Sequence, residues 1–139
     1  HMPTERWSDY LRETFSTMWH VPIAFITGQS GRNIKMMLNH AQMLFKQSHE
    51  RVGTGELNRL VQRALENHPP PLTRRHQRPK IFYATQIATQ PPTIVMKCNN
   101  PSAFSPDYRR YLLSVLRDQL SFGEVPIKLF MQKREQNEK

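Results

Sequence analysis

The sequence is short of the residues that define several familiar classes of protein. Its 139 residues include one cysteine, so no disulfide can form within the chain. That residue, Cys98, lies at the spacing of a strand, which favours a small buried side chain in a reducing compartment over a nucleophile. No apolar run approaches the roughly 18 residues of a membrane-spanning helix. We therefore expect a cytoplasmic protein with a packed core and no membrane partner.

Acidic residues are also scarce, above all in the second half of the chain. Residues 3–71 contain 8 Lys or Arg and 6 Asp or Glu, whereas residues 72–139 contain 12 and 5, and the formal net charge is +9. A surface this basic attracts polyanions with an affinity that falls as salt rises, which favours contact with nucleic acid. The alternative is a solvated surface that only keeps the protein in solution.

Groups suited to catalysis or metal binding are missing from the sequence. Paired carboxylates for acid–base chemistry are absent from the basic half. Five of the histidines have no Cys or Asp at the spacing of metal ligands, namely His20, His40, His49, His68 and His76. We therefore predict no catalytic residue, no metal site and no cofactor in this chain, and an autonomous enzyme is the least supported class.

The strongest positive signal lies in residues 80–99, which predict two strands joined at residues 89–92. β-Branched and aromatic residues alternate there, and a pair of prolines interrupts them. Alternation places Ile81, Tyr83, Thr85 and Ile87 on one face of the first strand, and Ile94, Met96 and Cys98 on one face of the second. The opposite face, which includes Phe82 and Val95, mixes apolar and cationic side chains.

Helices are predicted on both sides of this hairpin. Thr54 caps an amphipathic helix that the prolines at residues 69–71 end. Ser105 caps another, with Pro106 in its first position, and Gly123 closes it. Residues 125–133 then predict a last strand, with Ile127, Leu129 and Met131 facing inward.

The first 52 residues predict the order helix, strand, helix. Thr4 caps a helix that runs to about Met18, residues 21–27 form a strand, and Asn33 caps a long second helix. The strand is apolar along its whole length, which is typical of a strand with neighbours on both edges. We therefore interpret residues 3–52 as the remnant of a larger α/β domain.

Several short motifs occur in a recognisable order along the second part of the chain. They are His68-Pro69-Pro70-Pro71-Leu72, Tyr83-Ala84-Thr85-Gln86, Pro91-Pro92-Thr93, Tyr108-Arg109-Arg110-Tyr111-Leu112 and Pro126-Ile127. Together they resemble the C-terminal KH-like domain of the double-GTPase ribosome-assembly proteins called EngA or Der. The resemblance covers residues 53–134, followed by a charged tail at 135–139. Residues 3–52 resemble the end of that family's second GTPase domain.

The resemblance implies an α+β fold in which a three-stranded KH-like sheet carries helices on one face, preceded by an α-β-α remnant of a P-loop α/β GTPase domain. A full-length parent would bind GTP and Mg²⁺ through motifs that precede residue 3. Without those motifs the chain itself is expected not to hydrolyse GTP. Thr27 and Gly28 stand where the family has the Ser-Ala loop that touches the guanine base.

The resemblance also implies a partner, the ribosomal RNA of the large, 50S subunit. KH modules normally clamp nucleic acid with a Gly-x-x-Gly loop between two helices. Gly28 and Gly31 spell this motif, but outside the KH-like part, so we expect electrostatic contact with folded RNA instead. The predicted phosphate contacts are Arg74, Arg75, Arg78, Arg110, Arg117, Lys128 and Lys133.

Two alternatives concern contacts other than RNA. The sheet face with Phe82, Val95 and Phe130 could pack on the GTPase domains of the same chain and sense their nucleotide state. The apolar strand at residues 21–27 could be covered in either of two ways. The helices of residues 3–52 would pack against the KH-like half, or two copies of the chain would form a dimer that the parent does not need.

Overall fold

The computed structural model describes residues 2–137 and has α-helices and one β-sheet. The helices are α1 (Thr4–Thr14), α2 (Ile34–Ser48), α3 (Thr54–Asn67) and α4 (Pro106–Gln119), and the strands are β1 (Ile81–Ala88), β2 (Thr93–Cys98) and β3 (Lys128–Lys133). Short 3₁₀ turns follow α1 at Ser16–Met18 and β2 at Pro101–Ala103. The predicted α+β class with a three-stranded sheet is confirmed.

The helices of the first part begin and end differently from the prediction. Helix α1 follows Pro3 with no side-chain cap and ends four residues before Met18, where a 3₁₀ turn takes over. Asn33 precedes α2 in a left-handed conformation (φ 63°). Its side chain makes no cap hydrogen bond to α2, and its Nδ2 donates to the carbonyl of Phe25 at 2.9 Å.

The predicted strand at residues 21–27 is not formed. Within residues 2–137, its backbone has one isolated bridge, between Thr27 and Arg32, and no strand lies beside it. A single strand gains no ladder of backbone hydrogen bonds, so apolar composition alone does not make a strand of this segment. The α-β-α order predicted for residues 3–52 is therefore α1, a 3₁₀ turn, an irregular segment and α2.

The two later helices begin and end largely as their sequences predict. Helix α3 has Gly53 rather than Thr54 at its N-cap, and it ends at Asn67, just before the prolines. At α4 the hydroxyl of Ser105 accepts from the Tyr108 N–H at 3.1 Å, as predicted for a cap followed by proline. The helix ends before Gly123, however, and β3 starts later than residue 125.

The sheet has the order β1-β2-β3, with β1 antiparallel and β3 parallel to the central strand. A register irregularity between Ile81 and Tyr83 shifts the side chains of β1 by one position. As a result Ile81 shares its buried face with Ala84. The prediction that it shares a face with Tyr83, Thr85 and Ile87 is wrong, because strict alternation does not survive a bulge.

The core lies between one face of the sheet and helices α3 and α4. Its buried residues are Leu57, Leu60, Val61 and Ala64 of α3, Tyr108, Leu112 and Leu116 of α4, and Ile81, Ala84, Ile94, Met96, Cys98 and Met131 of the sheet. Phe104, Leu120, Phe122, Val125 and Ile127 complete it from the connecting segments. Of the residues predicted to face inward on the last strand, Ile127 and Met131 are buried and Leu129 packs against the core.

Side chains occupy the outer edge of β1. Asn58 of α3 donates to the Ala84 carbonyl at 2.9 Å and accepts from the Ala84 N–H at 2.8 Å. The buried Gln86 donates to the carbonyl of Glu50 at 2.9 Å and accepts from the Val52 N–H at 2.8 Å. The bonds of Asn58 satisfy two edge groups of Ala84 that would otherwise be free to pair with another strand, whereas those of Gln86 join β1 to the residues that precede α3.

The first part of the chain is attached to this core through the end of α2. Gln47 donates to the Glu124 carboxylate at 3.1 Å and accepts from the Glu124 N–H at 3.1 Å, and the Gln90 N–H donates to the Ser48 carbonyl at 2.8 Å. No residue from 2 to 46 is buried. Leu44 of α2 packs against the core, but most of the large apolar side chains of α1 and α2 are exposed.

Candidate nucleic-acid interface

The loop between α3 and β1 presents arginines at the tip of a closed turn. The Thr73 N–H donates to the Gln77 carbonyl at 2.9 Å, and the Gln77 N–H donates to the Thr73 hydroxyl at 3.1 Å. His76 takes the left-handed conformation (φ 57°) that lets the chain reverse. Arg74 and Arg75 lie inside this turn and are exposed to solvent.

The order of the strands brings further cations to the base of the same loop. Strand β1 starts where β2 and β3 both end, because β1 is antiparallel to β2 and β2 is parallel to β3. Asn99 ties the two chain segments together, since its Oδ1 accepts from the Lys80 N–H at 3.0 Å and its Nδ2 donates to the Arg78 carbonyl at 3.3 Å. We define the basic end of the sheet as Arg74, Arg75, Arg78, Lys80, Lys133 and Arg134.

An aromatic ring also lies at the basic end. The guanidinium carbon of Arg134 is 3.6 Å from the centroid of the Phe82 ring, a cation–π contact. The Arg134 N–H donates to the Cys98 carbonyl at 2.9 Å, which extends the β2–β3 pairing by one residue. Arg134 is thus held in place at both its backbone and its side chain.

The structure divides the seven predicted phosphate contacts among three places. Arg74, Arg75, Arg78 and Lys133 lie at the basic end, whereas Lys128 pairs with Thr93 at the opposite end of the sheet. Arg110 and Arg117 are on α4. The sequence prediction did not include Lys80 and Arg134. Neither the charge count nor the predicted elements could select them, because only the strand order seen in the structure places them beside the loop.

Arg117 is used inside the protein rather than at a free surface. Its Nη1 donates to the carbonyls of Gly123 at 2.9 Å and of Val125 at 2.6 Å, which fastens the connection after α4. Burial lowers the pKa of this guanidinium from its ordinary value. The pKa of the neighbouring His20 is also lowered, first by burial and then by the charge of Arg117.

Arg110 is exposed and forms an ion pair with Asp107 one turn earlier on α4. Of the adjacent tyrosines, Tyr108 is buried in the core and Tyr111 packs against it. The Tyr108 hydroxyl donates to the His68 carbonyl at 2.6 Å, and the Tyr111 hydroxyl donates to the Ala64 carbonyl at 2.8 Å. Burial, with a smaller effect of Tyr111, raises the pKa of Tyr108 to about 12.

Thr27 and Gly28, predicted as the guanine-loop remnant, lie in an exposed turn before α2. The Thr27 N–H donates to the Arg32 carbonyl at 3.1 Å, and the Gly31 N–H donates to the Thr27 carbonyl at 2.9 Å. The Gly-x-x-Gly sequence therefore belongs to this turn and not to a loop between two helices of the KH-like part.

Other chemistry finds little support among the described residues. Residues 2–137 contain no cluster of three or more potential metal ligands. Burial raises the pKa of the Cys98 thiol from its ordinary value, in keeping with the small buried side chain expected there. In the same part of the chain, no helix has the length and apolar character needed to cross a membrane.

The fold and the surface together define a KH-like α+β domain with a basic end and without a Gly-x-x-Gly clamp. Residues 51–132 match the family described as KH-domain-like of EngA bacterial GTPase enzymes, C-terminal. The chain belongs to this family, and the resemblance seen in its motifs is confirmed.

Two relatives show how far the similarity extends. The chain is 58% identical over 137 residues to the GTPase Der of Rhodopirellula baltica, a match that covers 99% of the chain and 30% of the relative. It is 35% identical over 132 residues to the GTPase Der of Syntrophobacter fumaroxidans, covering 95% of the chain and 30% of the relative. The chain thus spans about a third of the length of the curated relatives it matches.

Proposed function

We propose that the chain is the RNA-binding module of a GTPase that acts in assembly of the large ribosomal subunit. Its partner is ribosomal RNA of the 50S subunit in the cytoplasm, and its basic end contacts the phosphate backbone. The relatives named GTPase Der support the link to a GTPase. The parent would bind GTP and Mg²⁺ outside residues 3–139, so this chain alone should release no phosphate from GTP.

One observation carries the proposal, the exposed turn that holds Arg74 and Arg75. Within residues 2–137 neither residue forms an ion pair, and the turn that presents them is closed by its own hydrogen bonds. Because the backbone of the turn is already ordered, only the side chains lose conformational freedom when the guanidinium groups meet phosphate, to which they can donate two hydrogen bonds at once. Arg78 and Lys80 extend the same charge to the sheet.

The salt dependence of RNA binding tests this assignment. Replacing Arg74, Arg75 and Arg78 together by Glu should weaken binding to a ribosomal RNA fragment. It should also reduce the slope of log K against log salt by about 2–3, because each lost phosphate contact contributes ~0.7–0.9 to the slope. The affinities would be measured by fluorescence anisotropy at several salt concentrations.

A matched control makes the same change of charge elsewhere. Arg6→Glu, Arg32→Glu and Lys35→Glu together alter three exposed cations in the first part of the chain. This variant should keep most of the slope, because its substitutions lie away from the basic end. If both triple variants lose the same slope, only net charge matters and the basic end is not the binding surface.

A second candidate function is the intramolecular one, and an exposed ring favours it. Phe130 lies on the sheet face opposite the helices and is 48% exposed. Its neighbour Val95 is buried and offers no surface, so the predicted trio of Phe82, Val95 and Phe130 reduces to its two aromatic members. In a full-length parent, Phe130→Ala should loosen docking on the GTPase domains while RNA binding by this chain stays unchanged.

A further inference from the structure

A cleft lies between the segment that follows α1 and one side of α4. Its volume is about 520 Å³, within the range of about 300–1,000 Å³ typical of small-molecule sites. Ser16, Thr17 and Trp19 line one wall, and Arg110, Leu113, Ser114 and Arg117 line the other. The residues of the second wall are spaced by three or four positions, so they form one stripe along the helix.

The wall opposite α4 is held in place by backbone hydrogen bonds. The Met18 N–H donates to the Phe15 carbonyl at 2.8 Å, and the Val21 N–H donates to the Met18 carbonyl at 3.1 Å. Arg12 of α1 donates to the Trp19 carbonyl. These bonds fix the backbone on both sides of Trp19.

The indole of Trp19 is oriented but not covered. The His20 ring meets it at 82°, with ring centroids 5.8 Å apart, so His20 contacts it edge-on. Trp19 is nevertheless 48% exposed, in a cleft where a flat ligand could lie against it. An exposed indole in a cleft that two arginines also line combines a stacking surface with positive charge.

This combination selects one class of ligand. Every nucleobase has a π-face that stacks on an aromatic ring, and every nucleotide carries a phosphate that arginine binds. The Nη1 of Arg117 donates to two carbonyls inside the protein, so Arg110 is the arginine that is more available to bind a phosphate. Arg110 shares one nitrogen with Asp107 and keeps its other N–H donors. The hydroxyls of Ser16, Thr17 and Ser114 add hydrogen-bonding groups.

The position of the cleft also fits a polynucleotide. Helix α4 follows β2 through residues 99–105, so its first turns start from the basic end of the sheet. Arg110 lies in those first turns. A strand whose backbone lies along the basic end could therefore continue toward the cleft.

We propose that the cleft binds one unpaired nucleotide of single-stranded RNA, with its base stacked on Trp19 and its phosphate paired with Arg110. This inference rests on the proposed RNA-binding function and makes it more specific. A duplex hides its bases in the helical stack, so the site would favour an unpaired loop or bulge over a fully paired RNA.

Tryptophan fluorescence tests the stacking directly, because Trp7 and Trp19 are the only tryptophans of the sequence. In Trp7→Phe the remaining signal comes from Trp19 and should be quenched by an unpaired oligoribonucleotide. In Trp19→Phe it comes from Trp7 and should not change. A fully paired RNA of the same sequence should quench neither. Equal quenching of Trp19 by the paired RNA, or no quenching by the unpaired one, would overturn the proposal.

Binding affinity provides a second measurement. Trp19→Ala should raise the Kd for unpaired RNA about 5- to 150-fold, the range expected for loss of one base–aromatic stack. Trp19→Phe keeps a stacking ring and should restore most of the affinity, which separates stacking from a disturbance of the fold. Trp7→Ala is the matched control and should leave Kd unchanged.

The net positive charge of the cleft can be raised by one substitution and lowered by another. Asp107→Asn removes the acidic partner of Arg110 and should tighten binding of unpaired RNA, whereas Arg110→Ala should weaken it. If the Arg74, Arg75 and Arg78 variant loses affinity but Trp19→Ala does not, the cleft is not a site and the RNA-binding function stands. If none of these variants affects binding, both proposals fail.

Discussion

Asn58 joins α3 to the edge of β1 through its side chain. Both polar atoms of its amide bond the backbone of Ala84, at 2.9 Å and 2.8 Å. Asn58→Ala leaves a partly buried donor and acceptor without partners, so the free energy of unfolding should fall by ~1–3 kcal/mol. Urea denaturation would measure it. Glu66→Ala, at an exposed position of the same helix, should change it by less than ~0.5 kcal/mol.

The raised pKa of Tyr108 predicts how the stability of the folded protein changes at alkaline pH. Its pKa is raised from 10.0 to about 12, so the unfolded chain loses the phenolic proton before the folded one does. The contribution of Tyr108 to the free energy of unfolding is present in full below pH 10.0 and is lost as the pH rises toward about 12. Denaturation midpoints across this interval should fall more steeply for the unaltered protein than for Tyr108→Phe. Parallel curves would mean that Tyr108 ionises as easily when folded as when unfolded.

The predicted cations show what sequence can and cannot say about single residues. Charge identifies Arg110 and Arg117 equally well, and their spacing places both on one side of α4. Only the path of the chain after the helix shows that Arg117 faces two backbone carbonyls, whereas Arg110 is exposed beside Asp107. The contacts of a long side chain depend on its neighbours in the tertiary structure, and a local sequence pattern carries no information about those neighbours.

At the scale of elements, Gly123 fixes the connection between α4 and β3. A Cβ at this position would lie 2.2 Å from the carbonyl oxygen of Arg117 and 3.0 Å from its carbonyl carbon, so the backbone of α4 would have to move to make room for it. Gly123→Ala should therefore lower the free energy of unfolding by ~1–3 kcal/mol or more. It should also weaken the bonds of Arg117 to this connection. Thermal unfolding would show the change as a lower Tm.

Gly55 is the matched control for that substitution. It lies in the first turn of α3, where nothing stands within 4 Å of the position of a Cβ. Gly55→Ala should leave the protein as stable or raise its stability by up to ~1 kcal/mol, because alanine favours the helix. Equal losses in both variants would mean that contact with Arg117 is not the reason for glycine at 123.

Elements with local signals were predicted well from the sequence, and those that depend on distant partners were not. The cap at Ser105 and the β1–β2 hairpin follow from neighbouring residues and are present. The strand predicted at residues 21–27 needed a neighbouring strand, and residues 2–137 supply none beside it. The shift in β1 also escaped prediction, because nothing in the alternation of Ile81 and Tyr83 signals a bulge. The loop arginines were predicted, but their grouping with Arg134 required the strand order.

At the scale of the whole molecule, the first part of the chain is the main source of exposed apolar surface. Phe45 is 69% exposed, and Tyr10, Phe15 and Met18 are each more than half exposed. Burying such side chains gains ~1.5–3 kcal/mol each, which favours association between copies. We expect sedimentation equilibrium to give a mass above that of one chain, and a version that starts at Gly53 to stay monomeric.

A substitution within the intact chain sharpens that test. Leu38→Gln with Phe45→Gln removes two exposed apolar side chains from α2 and touches no buried residue. This variant should shift the protein toward the monomer. The expectation fails if the unaltered chain is already a monomer whose residues 3–50 exchange their amide protons as fast as an unfolded chain.

Side-chain hydrogen bonds at β1 make the two outer edges of the sheet unequal in their ability to pair with another strand. Asn58 bonds both backbone groups of Ala84, and the Gln86 side chain bonds the Ala88 carbonyl, whereas no described strand pairs with the outer side of β3. Two molecules joined along β3 would form one continuous sheet with a β1 strand at each end. At both ends the backbone groups of Ala84 would already be bonded, which hinders pairing with a third molecule. Strand pairing between copies would therefore favour a pair over a fibre.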